Sequence, residues 1–196
     1  MFDVQKSAVA LLASVGFGLV FFATPQKADA AIRFGADAIW VPLAADTVES
    51  GSRELDSDHK IASFGGAIHG GLGFNIFSMN LKLNYFNEGL KLTESGSTDS
   101  VRRDQLDINA MARIGVPGPV KLAFFGEGGA SLSTDFDGLG YNVGLGAEYT
   151  LVSAGPVGLN LGTEGQYVNL PAKLNNSSTD NKSTRLLFYL GADFGL

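Results

Sequence analysis

The sequence predicts an all-β protein, an eight-stranded antiparallel up-and-down transmembrane β-barrel. Three observations carry that prediction: a strictly alternating final segment, seven earlier segments that repeat its pattern, and connections that alternate between long and tight. Over residues 184–196, Thr184, Leu186, Phe188, Leu190, Ala192, Phe194 and Leu196 share one face, and Arg185, Leu187, Tyr189, Gly191, Asp193 and Gly195 share the other. Period two is the side-chain period of a β-strand, and this run is longer than the usual strand of about 5–6 residues. An unbroken apolar stripe with charges opposite fits a strand that faces lipid on one side and a polar lumen on the other.

The N-terminal segment is read as a secretory signal peptide. Lys6 starts it, an apolar run covers residues 8–22, and Ala28-Asp29-Ala30 supplies an A-x-A cleavage site. The run is shorter than the ~20 residues a spanning helix needs. The expected division is a cleaved signal over residues 1–30 and a barrel over residues 31–196.

The strands then follow in order. Residues 32–41 put Ile32, Phe34, Ala36, Ala38 and Trp40 on one face, with Arg33 and Asp37 opposite. Residues 59–74 are less regular and use Phe64, Ile68, Leu72 and Phe74. Residues 79–87 set Met79, Leu81, Leu83 and Tyr85 against Asn80, Lys82 and Asn84. Residues 105–116 set Leu106, Ile108, Ala110, Ala112, Ile114 and Val116 against Asp107, Asn109 and Arg113. Residues 120–132 set Val120, Leu122, Phe124 and Leu132 against Lys121 and Glu127. Residues 141–151 oppose Tyr141, Val143, Leu145, Ala147, Tyr149 and Leu151 to Asn142 and Glu148, and residues 157–167 oppose Val157, Leu159, Leu161 and Tyr167 to Asn160 and Glu164. Residues 184–196 complete the eight.

Connections near 42–58, 88–104, 133–140 and 168–183 are polar and read as long loops, whereas those near 75–78, 117–119 and 152–156 are tight. Long outer loops alternating with short inner turns mark an outer-membrane barrel. Closure matters because an unpaired strand edge is not tolerated in lipid. Aromatic residues fall in two outward bands: Trp40, Phe64, Tyr85, Tyr141 and Tyr167 toward the long loops, and Phe34, Phe74, Tyr149 and Phe194 toward the short turns. Such bands correspond to interfacial girdles. A short internal repeat runs from Gly118-Pro119-Val120 to Glu127-Gly128 and again from Gly155-Pro156-Val157 to Glu164-Gly165. Duplicated hairpins and convergent Gly-Pro turn chemistry explain it equally well.

Composition excludes several functions. There is no cysteine, hence no disulfide framework, thiolate metal site or cysteine nucleophile. The net charge of −6 argues against nucleic-acid binding, which needs a basic footprint. His59 and His69 are the only histidines and stand in no Ser/His motif, so neither catalysis nor a cofactor is expected. A catalytic zinc, which takes three protein ligands, is not expected either.

The C-terminal residues Tyr189-Leu190-Gly191-Ala192-Asp193-Phe194-Gly195-Leu196 resemble the C-terminal β-signal of bacterial outer-membrane proteins. Tyr189, Gly191, Phe194 and Leu196 fall on its marked positions, with Leu196 where that signal usually ends in an aromatic residue. With eight strands, the chain resembles the small OmpA/OmpX-type barrels. The resemblance implies a bacterial outer-membrane location, recognition by the barrel assembly machinery, and an environment of outer-membrane lipid and lipopolysaccharide.

The inward face is expected to carry a charge network of Arg33, Asp37, Lys82, Asp107, Arg113, Glu127, Glu148, Glu164, Arg185 and Asp193, with Lys121 beside them and the two signs nearly balanced. An eight-stranded barrel is just wide enough for its side chains to fill it. A salt-bridged plug is therefore the first reading, with Arg33 and Asp193 near each other at the periplasmic end. Inward glycines (Gly35, Gly65, Gly144, Gly146, Gly162, Gly191) keep a narrow water path open as the second. The first long loop carries Asp46, Glu49, Glu54, Asp56 and Asp58 against Arg53, either a solvated face or a cation bridge to lipopolysaccharide. The expected role is structural, with four outer loops open to a surface ligand. The alternative is a narrow pore or lateral-diffusion channel.

Overall fold

The computed structural model describes residues 30–50, 53–58, 63–94, 97–117, 119–133, 136–174 and 177–196. The elements are β1 (Ala30–Ser50), β2 (Arg53–Asp58), β3 (Ser63–Phe74), β4 (Phe77–Glu94), β5 (Ser97–Gly115), β6 (Leu122–Ser133), β7 (Phe136–Ala154), β8 (Val157–Leu174) and β9 (Ser177–Gly195). Both β2 and β3 pair with β1, at Ala45–Ser50 and Ala30–Val41 respectively. They make one interrupted stave, so the barrel has eight staves, all antiparallel to their neighbours.

Closure is direct. β1 pairs with β9 from Arg33↔Gly195 to Ser50↔Thr179. Below that, Ile32 N donates to Leu196 O at 3.2 Å and Leu196 N donates to Ile32 O at 2.9 Å. The one register break on this seam lies between Trp40 and Leu43. Pro42 falls there, and a residue with no N–H is tolerated in a sheet only at such a bulge or on an edge.

The turns between β3 and β4 and between β7 and β8 are as tight as the sequence implies. Asn75 adopts φ 55° between β3 and β4, and Gly155 adopts φ 58° between β7 and β8. Asn and Gly are the residues that enter the left-handed region readily. At the other end the expectation fails. The stretches read as long loops are largely strand: β4 and β5 stay paired to Glu94↔Ser97, β8 and β9 to Leu174↔Ser177, and β1 and β2 to Ser50↔Arg53. The β6–β7 hairpin is shorter, turning at Ser133↔Phe136. Polar composition signals loop through turn chemistry, yet backbone pairing needs no apolar face once water solvates both sides. The hairpin tips and residues 1–29, which include nearly all of the expected signal peptide, lie outside the described residues.

The outer surface is apolar. Leu81 is 69% and Leu145 75% exposed, and the expected girdle residues Trp40, Phe64, Tyr85, Tyr141, Phe34, Phe74, Tyr149 and Phe194 all face outward. Trp40 packs on Phe188 and Tyr141 on Tyr167, with centroids 6.1 and 6.3 Å apart. Just beyond the outer girdle, Tyr85 Oη and Asn87 Nδ2 both donate to Asp104 Oδ1, at 2.8 and 2.7 Å. The core sits in the lumen, where Ile39, Val41, Ala67, Phe86, Met111, Phe125, Leu187 and Tyr189 form its apolar part.

Candidate functional site: the filled lumen

Alternation aims every second residue inward, and tilted staves bring them together in layers. In the central layer Lys82 of β4 reaches Glu127 Oε2 of β6 at 2.8 Å and Glu164 Oε2 of β8 at 3.3 Å. In stave order β4 and β8 stand opposite each other, so this contact crosses the barrel. The other oxygen of Glu127 accepts from Asn84 Nδ2 at 3.2 Å and Asn109 Nδ2 at 2.5 Å. Phe125 and Tyr189 flank the ammonium, 5.5 and 5.7 Å from their ring centroids. Lys82, Glu127 and Glu164 are all buried. An unpaired buried charge costs several kcal/mol, roughly, and these are offset by mutual pairing and amide donors. The two glutamates are the same two that close the internal repeat.

A second crossing lies toward the outside. Arg185 of β9 pairs through Nη1 with Glu88 Oε1 at 2.7 Å and donates from Nη2 to Gln105 Oε1 at 2.6 Å, with Phe86 5.3 Å beneath its guanidinium. Gln105 Nε2 donates to Asp107 Oδ1 at 2.7 Å, and Gln166 Nε2 to Asp107 Oδ2 at 3.4 Å. β9 and β5 are also opposite staves. Toward the periplasm, Arg113 pairs with Glu148, and Asp193 is held by Asn160 Nδ2 at 2.8 Å and by His69 Nε2 at 3.2 Å.

The inward glycines seat their neighbours. A Cβ at Gly144 would collide with Glu164, at Gly146 with Phe125, and at Gly162 with Tyr189. The same test brings Gly35 against His69, Gly65 against Phe86 and Gly191 against Asp37. The room these residues leave is taken by neighbouring side chains.

Lys82, Asp107, Glu127, Glu148, Glu164 and Arg185 are buried in the lumen, and Arg33, Asp37, Arg113 and Asp193 are half-buried there. One expectation needs correction. Lys121 is exposed at the periplasmic rim, donating to Ser153 Oγ at 2.7 Å, because the β5–β6 turn carries it past the last paired position. Arg33 and Asp193 sit near each other on neighbouring strands, opposite Gly195 and Gly35, as expected, and Asp193 is engaged by His69 and Asn160. Among the described lumen side chains, Glu88 joins Asp37, Asp107, Glu127, Glu148, Glu164 and Asp193 beside Arg33, Lys82, Arg113 and Arg185. Glu88 and Gln105 escaped notice as partners of Arg185, although Lys82, Asn84, Phe86 and Glu88 keep one parity along β4. The Phe86, Phe125 and Tyr189 layer was likewise missed, since inward aromatic residues mimic ordinary alternation.

Of the C-terminal motif, Tyr189 and Gly191 face the lumen while Phe194 and Leu196 face outward. The acidic side chains of the first outer hairpin and His59 lie outside the described residues. Among the described residues, no group of three His, Asp or Glu side chains is placed to hold a metal ion.

No protein-family model and no curated sequence match this chain. Solved structures do. The outer membrane protein AlkL in lipid bilayers is 11% identical over 89% of this chain and 92% of its own, with a TM-score of 0.51. OprG of Pseudomonas aeruginosa, an outer membrane protein, is 14% identical over 87% of this chain and 97% of its own, with a TM-score of 0.50. Neisserial surface protein A is 19% identical over 84% and 97%, with a TM-score of 0.48. The likeness is one of fold: this chain has the architecture of the small outer-membrane barrels. The apolar belt and that architecture together give an outer-membrane location.

Proposed function

We propose that this protein is a plugged barrel with a structural and surface-interaction role. Its lumen is closed by its own side chains, and its four outer hairpins are offered to the exterior or to a partner. The observation that carries this reading is the central crossing, Lys82 between Glu127 and Glu164. Paired strands that continue past the outer girdle support the second half of it, because they make the hairpins stiff projections. Outer-membrane lipid and lipopolysaccharide are its surroundings, and the C-terminal strand with Tyr189, Gly191, Phe194 and Leu196 is its signal to the barrel assembly machinery.

The alternative, a narrow pore or lateral-diffusion channel, draws on the low β6–β7 hairpin. Pairing between β5 and β6 stops at Gln105↔Ser133, whereas β5 itself continues outward to Ser97. One experiment separates the surface role from its rival. Displayed on a bacterium, the intact protein promotes attachment to host cells or matrix glycans. A variant with residues 89–102 cut to a two-residue turn does not. Equal attachment by both, with both folded, removes the surface role.

A further inference from the structure

The periplasmic mouth of the barrel holds a feature the plug does not use. A cavity of about 280 Å³ opens between the turn at Asn75-Ile76 and the β5–β6 turn, and Arg33, Arg113 and Lys121 all line it. Ser78, Asn75 and Thr150 add polar groups to its wall. Among the described residues no carboxylate pairs with Arg33 or Lys121. Of the acids toward this end, Glu148 pairs with Arg113 itself, and Asp193 is engaged by His69 and Asn160. Arg113 keeps a buried Nε with no hydrogen-bond partner.

Arg33 lies against a glycine: a Cβ at Gly73 would stand 2.7 Å from Arg33 Nε, so the bare backbone of β3 leaves the guanidinium its place along the wall. Three cations converge at this mouth, Arg113 sharing its charge with Glu148 while Arg33 and Lys121 have no carboxylate partner among the described residues, in a chain of net charge −6. Guanidinium forks match the oxygens of phosphate in two-pronged fashion, and a lysine adds a point charge. The rim is apolar, with Ile76, Val116 and Val120 lining the cavity and exposed on the outer face.

We propose that this mouth is a phosphate-binding site, with Arg33, Arg113 and Lys121 as its cationic ligands. The phosphate is carried either by the headgroup of an inner-leaflet phospholipid or by a free anion. The site is independent of the surface role and of whether the lumen conducts.

The test uses the refolded protein in uncharged detergent, titrated with inorganic phosphate and, separately, with a short-chain phosphatidylglycerol, and followed by amide NMR. The expected result is a saturable shift of the amides of Asn75, Ser78, Arg113 and Lys121. Arg33→Gln with Lys121→Gln weakens it about tenfold, the loss of one to two charge-assisted contacts. Arg33→Lys with Lys121→Arg keeps the charges, and most of the binding, in a barrel that folds as the parent does. Tighter binding of the lipid supports the headgroup as the source, and equal binding of both supports a free anion. Failure of both probes to saturate, or equal affinity in the charge-removed variant, overturns the proposal.

Discussion

The inside and the outside of this barrel solve opposite problems with the same strands. On β7, Leu145 and Tyr149 stand exposed while Asn142 and Glu148 are buried, an inversion of the soluble pattern in which apolar side chains go inside. Outside, each residue meets a uniform solvent, so one apolar side chain substitutes for another. Inside, the central polar residues meet specific partners. Lys82 has two carboxylates, Glu127 two amides, and Arg185 a carboxylate and an amide. The belt is therefore tolerant and the lumen particular, and substitutions test that difference.

The largest effect is expected at the centre of the lumen. Lys82→Met leaves Glu127 and Glu164 facing each other unpaired and costs about 3–5 kcal/mol of folding stability, measured by urea unfolding in lipid vesicles. Adding Glu127→Gln and Glu164→Gln restores most of that loss, because the stranded charges go with the lysine. Phe125→Ala, which empties the aromatic layer against Tyr189, costs about 3–5 kcal/mol in the same assay. On the outer face, Leu145→Arg puts a charge midway between the girdle residues Tyr141 and Tyr149 and costs about 2–4 kcal/mol. Leu145→Val or Leu145→Ile at the same place is close to neutral. If that conservative exchange cost as much as Lys82→Met, the tolerant and particular faces would not differ. The smallest effect is expected at the outer rim, where Tyr85→Phe removes one donor to Asp104 and lowers the urea midpoint slightly.

How much of this was legible in the sequence follows the same divide. The belt was readable almost residue by residue, since lipid imposes one rule on every outward position and alternation displays it. Trp40, Leu145 and Phe194 are cases where the face read from the sequence is the face found. The identity of the inward charges was also readable, but not their partners. Which side chain crosses to which depends on strand tilt and stagger, and neither is written in hydropathy. Glu88 shows the cost: placed in a loop by its polar neighbours, it is the carboxylate that Arg185 pairs with. The inward glycines show the converse. Gly144, Gly146 and Gly162 looked like empty space in one dimension, whereas in three dimensions they are the recesses that Glu164, Phe125 and Tyr189 occupy. The outer hairpins were misjudged as loops for a third reason: a strand solvated on both faces has no hydrophobic period to read.

If the layer of Lys82, Glu127 and Glu164 seals the lumen, single-channel recording on the refolded protein in a planar bilayer measures that seal. No discrete current steps are expected from protein shown separately to be folded. Reproducible steps whose size or ion selectivity changes when Glu127 is neutralised would contradict it, for they would place a conducting path through the layer described as closed.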